Sequence, residues 1–238
     1  MATKPIYKRV LLKLSGEMLQ GKQHGGIDFA VVREMAKEVA SLAELGVEVA
    51  VVVGAGNFFR GREVRNREVD RSVADYMGMI ATVMNAIALR EALEGVGAKT
   101  LVLSAIHIPQ VVQNYTIEDA IRAFNDGNII ILGGGTGNPY FTTDTTVVLR
   151  ALELNADAVF KATKVDGVYD KDPVRYPSAK KFEKLTYQDA IDQKLAVMDE
   201  TAFALCVNND IVTHIFKYAK GALVKVATGE KPGTIITN

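Results

Sequence analysis

The chain has a single cysteine, Cys206, in 238 residues, which rules out an intrachain disulfide and any CxxC metal or redox motif. No His and Asn/Asp constellation is evident around it, so Cys206 reads as a small buried apolar residue. Net charge is also missing. Lys+Arg 28 balances Asp+Glu 28, so bulk charge would not hold a nucleic acid or an acidic membrane. No uncharged apolar stretch reaches the roughly 18 residues that a membrane-spanning helix needs. The opening Met-Ala-Thr-Lys-Pro-Ile-Tyr-Lys-Arg lacks the apolar run of a signal peptide, and the chain is expected to be cytoplasmic. The three histidines, His24, His107 and His214, are scattered and suggest no metal site.

Hydrophobic content of 48% and charged content of 24% are ordinary for a globular protein. At about 150 residues per domain, the length allows one large domain or two fused lobes. Short apolar runs alternate with longer amphipathic ones. Strands are expected at Tyr7–Leu14, Val47–Val53, Lys99–Ser104, Asn128–Leu132 and Ala156–Phe160. Helices are expected at Asp28–Leu45, Val69–Leu93, Ile117–Phe124 and Thr145–Leu154. Asp28 can cap its helix and Gly46 can end it. After Lys161 the pattern is less regular, with helices at Tyr187–Lys194 and Asp199–Asn208 and strands at Ile211–Phe216 and Leu223–Ala227. Strands joined by helical crossovers imply an α/β fold with a mostly parallel sheet and helices on both faces.

Three polar, glycine-rich segments follow expected strands: Lys13-Leu14-Ser15-Gly16, the Gly54–Gly61 loop, and Gly133-Gly134-Gly135-Thr136-Gly137-Asn138. Glycine lets the backbone approach an anion closely, and a following helix offers unpaired N–H groups at its positive end. In an open α/β sheet such loops lie where ligands bind. The two common nucleotide fingerprints fail. Gly95-Val96-Gly97-Ala98-Lys99-Thr100 has Ala98 where a P-loop needs glycine, and it leads into a strand. The spacing after Gly56 breaks GxGxxG. Lys13 and Lys161 each emerge from an apolar strand, where a buried ammonium needs an anionic partner. Phosphoryl transfer needs such fixed positive charge. Asp144 either caps the next helix or orients the lysines and nucleotide-bound Mg²⁺. Asp166-Gly167 and Asp172-Pro173 are turn signals, although Asp172 could reach a ribose. Thr136–Asp144 and Thr163–Tyr176 are expected to face a shared cleft.

These motifs resemble those of the bacterial UMP kinases (uridylate kinases) of the amino-acid kinase superfamily. The similar segments are Lys13–Gly16, the Gly54–Gly61 loop, Asp75-Tyr76-Met77-Gly78-Met79, Thr136–Asp144 and Lys161–Tyr169, and the similarity extends to Gly229–Thr234. TGNPxFTTD and KATKVDGVY are specific to that family, whereas KLSG and the DGVY region are more widely shared. The resemblance implies a three-layer αβα sandwich, a homohexamer, and transfer from MgATP to UMP. It implies one domain over residues 1–238, with an acceptor-binding part over about 1–150 and an ATP-binding part over about 151–238. By that resemblance, Lys13, Leu14, Ser15, Gly16, Gly56 and Arg60 would hold ATP phosphates. Thr163, Tyr169 and Asp172 would line the adenosine site. Ala55, Asp75, Thr136, Gly137, Asn138, Pro139, Tyr140, Phe141, Thr142 and Thr143 would hold UMP, with Asp75 on the ribose. Lys13, Asp144 and Lys161 would form the catalytic centre, and Mg²⁺ would arrive with ATP.

Ala55 stands where the family usually has glycine; a contact through its backbone N–H survives the methyl where φ is negative. Family members respond to GTP and UTP as effectors. Arg90 matches one arginine of the GTP site, while apolar or neutral residues replace others. Two rival readings are a kinase of the same superfamily acting on a carboxylate or carbamate, and a non-catalytic nucleotide sensor. Asp75 and TGNPxFTTD speak against the first, and the joint presence of Lys13, Asp144 and Lys161 against the second.

Overall fold

Strands rich in Val, Ile and Leu can sit in a sheet covered on both faces, and their burial follows that logic. The computed structural model describes residues 4–59, 69–195 and 197–238. The first part of the chain runs β1 (Arg9–Leu14), α1 (Gly16–Leu19), α2 (Phe29–Glu44), β2 (Glu48–Val53), α3 (Arg71–Glu94), β3 (Thr100–Ser104), β4 (Gln113–Asn114), α4 (Ile117–Asn125), β5 (Ile129–Gly133), α5 (Thr143–Glu153) and β6 (Ala158–Thr163). There follow β7 (Val168–Tyr169), β8 (Lys181–Phe182), β9 (Lys184–Thr186), α6 (Tyr187–Asp192), α7 (Glu200–Asn209), β10 (Val212–Lys217), α8 (Ala222–Ala227) and β11 (Thr234–Thr237).

Among the described residues, nine strands form one sheet in the order β4-β3-β5-β2-β1-β6-β10-β11-β9, while β7 and β8 pair separately. Within the sheet only β10–β11 is antiparallel. Strand alternation sorts side chains onto two cores. Val10, Leu12 and Leu14 join residues of α2, α3 and α8 on one face. Leu11 joins residues of α4, α5, α6 and α7 on the other. The expected helix–sheet–helix layering is therefore observed. Asp28 caps α2 by accepting from the amides of Ala30 and Val31, and Gly46 follows that helix at φ +84°. Cys206 is fully buried in the second core.

The C-terminal expectation needs correction. Leu223–Ala227 lies in helix α8, not a strand. A helix of this sequence puts Leu223, Val226 and Ala227 on one buried side and Lys225 outside, a 3.6-residue pattern that a β-branched run disguises. The strand that pairs with β10 is the later β11. Lys161 lies inside β6, which extends to Thr163, rather than beyond the expected strand end at Phe160. The short elements α1, β4, β7, β8 and β9 carry too few residues to impose a period and were not anticipated. By length and composition α3 could cross a bilayer, but half of its apolar window is buried within the fold.

His214 on β10 is buried, with the Tyr7 hydroxyl 2.6 Å from its Nε2 and Phe160 edge-on at 5.5 Å. Burial, aided by the charge of Lys231, pushes its pKa down to about 4. The unfolded chain takes up this proton near pH 6.5, whereas the folded chain resists until about 4. Protonation therefore favours the unfolded state, and stability is lost as pH falls through that window. His214→Gln should remove about 2 kcal/mol of the loss in unfolding free energy between pH 7 and pH 5, measured by urea titration.

Candidate active site

The sheet order reverses direction at β1. Strands β2 to β5 lie on one side of it, and β6, β10, β11 and β9 on the other. Such a switch point opens a crevice beyond the carboxyl ends of the strands. Lys13 and Lys161 are register partners across the parallel β1–β6 pair. Equal register in a parallel pair points both side chains to the same face, here the one covered by α5. Asp144, in the first turn of α5, receives them. Lys161 Nζ lies 2.6 Å from Asp144 Oδ2, and Lys13 Nζ lies 3.5 Å from Oδ1. Lys161 also donates to the carbonyl of Val197 at 2.5 Å.

The two ammonium groups share the Asp144 carboxylate, and Asp199 adds a second negative charge that acts on Lys161. Burial alone would push the Asp144 carboxyl up, but the Lys161 and Lys13 ammonium groups outweigh it and hold it below the usual carboxylate range. Burial pushes Lys161 below an ordinary lysine, against the attraction of Asp144 and with added repulsion from Lys13. At an effective dielectric near 20, an ion pair at 4 Å gains about 4 kcal/mol, comparable to the several kcal/mol needed to desolvate each ion. The cluster is thus poorly explained as a stabilising device. Asp144 Oδ1 is buried, with the Lys13 ammonium as its ion-pair partner at 3.5 Å.

Thr142, not Asp144, caps α5, its hydroxyl accepting from the amides of Asp144 and Thr145. The Thr142 hydroxyl also donates to Asp199, and the Thr145 hydroxyl reaches Asp199 Oδ1 at 2.9 Å. Asp199 in turn caps α7 through the Ala202 amide. This carboxylate, which sequence reading passed over, locks the α5 terminus that presents Asp144.

Two cavities include Lys161 or the chain neighbours of Asp144. One is lined by Ala55, Gly56, Asp75, Thr136, Phe141, Thr142 and Thr143, among others. The other is lined by Lys161, Thr163, Tyr169 and Asp172, with Val165 and Leu195. The expected acceptor and adenosine residues thus separate into two neighbouring hollows. Gly137, Asn138, Pro139 and Tyr140 lie outside the first lining. Asp75 accepts from the Tyr140 amide at 2.7 Å, and Arg71 stacks 4.7 Å above the Tyr140 ring. Tyr140 has φ +75°, uncommon for a bulky residue and held by that bond. In the second hollow the Tyr169 hydroxyl donates to Asp166 at 2.6 Å, and Asp172 accepts from the Val174 amide at 2.9 Å.

The glycine loops meet closely. A Cβ on Gly16 would collide with the carbonyl of Gly54 and lie 2.7 Å from the Gly56 amide nitrogen. Gly134, at φ +76°, would bring a Cβ within 2.8 Å of the Ile106 amide nitrogen. Ala55 is not among the described residues with positive φ, so its methyl is accommodated without backbone strain. Ser15 precedes α1, and its side chain makes no capping bond among the described residues. Leu14 is buried at the end of β1. Arg60 lies outside the described residues.

Buried lysine, carboxylate and glycine loops at a parallel switch point define a class, and the chain belongs to the amino acid kinase family, whose model matches residues 8–217. Among solved structures it is similar to the UMP kinase of Bacillus anthracis, at 36% identity over 97% of this chain and 96% of that one, with a TM-score of 0.94. It is also similar to the UMP kinase of Ureaplasma parvum, at 35% identity over 100% of both chains and a TM-score of 0.92. The uridylate kinase of Archaeoglobus fulgidus matches at 29% identity over 95% of this chain and 99% of that one, with a TM-score of 0.74.

Removing Lys161 would leave the Asp144 carboxylate buried with only the more distant Lys13. Lys161→Met should lower the unfolding free energy at neutral pH by about 3–5 kcal/mol in urea titration, the loss expected when one partner of a buried pair is deleted.

Proposed function

We propose that the chain is a nucleoside monophosphate kinase that transfers the γ-phosphate of ATP to UMP, reversibly, giving UDP and ADP. The observation that carries this reading is the Lys13–Asp144–Lys161 cluster, with one cavity lined by Lys161 and another by Thr142 and Thr143, which precede Asp144 in the chain. Full-length similarity to UMP kinases supports the acceptor. The first cavity takes UMP through Ala55, Asp75 and the Thr136–Thr143 segment. The second takes adenosine through Thr163, Tyr169 and Asp172, with the phosphates running over Lys13–Gly16 and Gly56; by resemblance Arg60 also binds them. This divides one domain into an acceptor-binding part, about residues 1–150, and an ATP-binding part, about 151–238.

A phosphate monoester has its second pKa near 6, so UMP arrives largely as a dianion and needs no general base. A UMP phosphate oxygen attacks the γ-phosphorus in line, the bond from that phosphorus to the β–γ bridging oxygen breaks, and its electron pair leaves on ADP. The barrier is the approach of two anions. Lys13 and Lys161 supply fixed positive charge for the equatorial oxygens, and Asp144 keeps the lysines aligned. ATP would bring Mg²⁺ with it, and the ion would supply further neutralisation of phosphate charge. Asp144, paired with both lysines, would help to orient that complex.

The outer side of α3 bears exposed Val73, Tyr76, Met77, Ile80 and Met84 at helical spacing, which supports self-association and is compatible with the homohexamer implied by resemblance. GTP and UTP are effectors on this reading, although Arg90 is engaged by Glu91 at 2.6 Å. The balanced charge is consistent with activity that requires no nucleic acid or membrane, in the cytoplasm.

A coupled assay with MgATP and a panel of UMP, CMP, dCMP, aspartate and acetylglutamate, with and without GTP, tests the assignment. UMP should be the preferred acceptor. Lys13→Ala should lower kcat by about 10²–10³ while the chain stays folded by circular dichroism. Asp144→Asn is a cleaner partner variant than Asp144→Ala, since it keeps the volume beside the buried Lys161. Preference for a carboxylate, or binding of both nucleotides without turnover, would overturn the reading.

A further inference from the structure

Asparagine is a poor choice for the interior of a helix, because its side chain competes with the backbone and gains little in an apolar setting. Asn85 nevertheless sits in α3 between Met84 and Ala86, with no exposed surface. Its amide nitrogen donates to the carbonyl of Gly54 at 2.8 Å and to Asn57 Oδ1 at 2.7 Å. Its oxygen accepts from Asn57 Nδ2 at 2.9 Å. Asn57 Nδ2 also donates to the carbonyl of Gly26 at 2.8 Å, and the Gly26 amide donates back to the carbonyl of Asn57 at 2.9 Å. All four N–H donors of the two amides are used, so neither side chain can turn over without breaking bonds.

We infer that Asn85 is a positioning residue for phosphoryl transfer, holding the Gly54–Asn57 turn in register with Gly16 and the end of β1. This rests on the proposed kinase reading, which sets substrate phosphates against Gly16, Ala55 and Gly56. Gly54 and Asn57, which Asn85 holds, bracket Ala55 and Gly56 in the lining of the first cavity. The contact with Gly16 leaves no slack, since a single added Cβ there would lie 2.7 Å from Asn57 Oδ1 and would strike the Gly54 carbonyl. Asn85 lies nine residues after Tyr76 on α3 and three after Thr82. Thr82 uses its hydroxyl in the same manner, accepting from the Gly134 amide at 2.8 Å. Thus one rigid helix holds two glycine loops at a set distance through single side-chain bonds. Elements are more precise supports than loops, and a misplacement near 1 Å at a reacting group can lower rate by about 10²-fold.

Asn85→Ala tests this, because alanine favours the helix and leaves space for water. With MgATP and UMP well below the unfolding midpoint, kcat should fall by about 30-fold or more, with KM for either substrate within about threefold. Backbone amide exchange across Gly54–Asn57 should rise at least about tenfold without substrate. Asn57→Ala, which keeps the bond to the Gly54 carbonyl, should lower kcat by only about three- to tenfold and serves if Asn85→Ala does not fold. Asn128→Ala, which removes an amide bond to the Ala123 carbonyl far from the site, should leave kcat unchanged. A kcat within twofold of the parent in a folded Asn85→Ala chain, or unchanged exchange in the turn, overturns the inference. If the parent itself transfers nothing to UMP, the proposed function fails, and the exchange result still decides whether Asn85 holds the turn.

Discussion

Two ammonium groups held side by side on adjacent strands are an arrangement that a protein interior resists. Lys13 and Lys161 are register partners on β1 and β6, and neighbouring strands lie only about 4.8 Å apart. The single Asp144 carboxylate between them makes the pair tolerable without making it neutral. Much of the surrounding architecture serves that compromise. The switch in strand order puts β1 and β6 next to each other, Thr142 and Asp199 fasten the first turn of α5, and the Val197 carbonyl takes a further proton of Lys161.

The helix α3 has a different duty on each side. Its buried side carries Thr82 and Asn85, which bond to the glycine loops at Gly134 and Gly54, and near its start Asp75 holds the Tyr140 amide. Its outer side is an apolar stripe. A helix of 24 residues is stiff over about 36 Å, so contacts made by the stripe and bonds made to the loops share one support. Loops alone could not keep these three segments at fixed distances, because their own backbone bonds are few.

Much of the frame was legible from residue patterns. The parallel strands showed as near-continuous β-branched runs, and the helices α2 and α4 showed through spacing and caps. The error at Leu223–Ala227 arose because five residues cannot distinguish a buried strand from a buried helical turn. Lys13 stood out as a charge at the end of an apolar run, and Lys161 for the same reason. Asn85 carried a comparable signal, an amide within Val83-Met84-Asn85-Ala86-Ile87, but its meaning depended on a loop 31 residues earlier. Asp199 gave no local sign beyond a helix cap.

The sequence by itself determined the parallel α/β class, the glycine loops after the strands, and the identity of the charged residues available to them. Those properties are local, set by side-chain period, backbone freedom and the penalty on a buried charge. Only the tertiary structure decided that Lys13 and Lys161 share one carboxylate, that Thr142 rather than Asp144 caps α5, and that Asn57 and Asn85 clasp each other. Such pairings join residues far apart in the chain, and strand order and register, which no local pattern encodes, bring them within bonding distance.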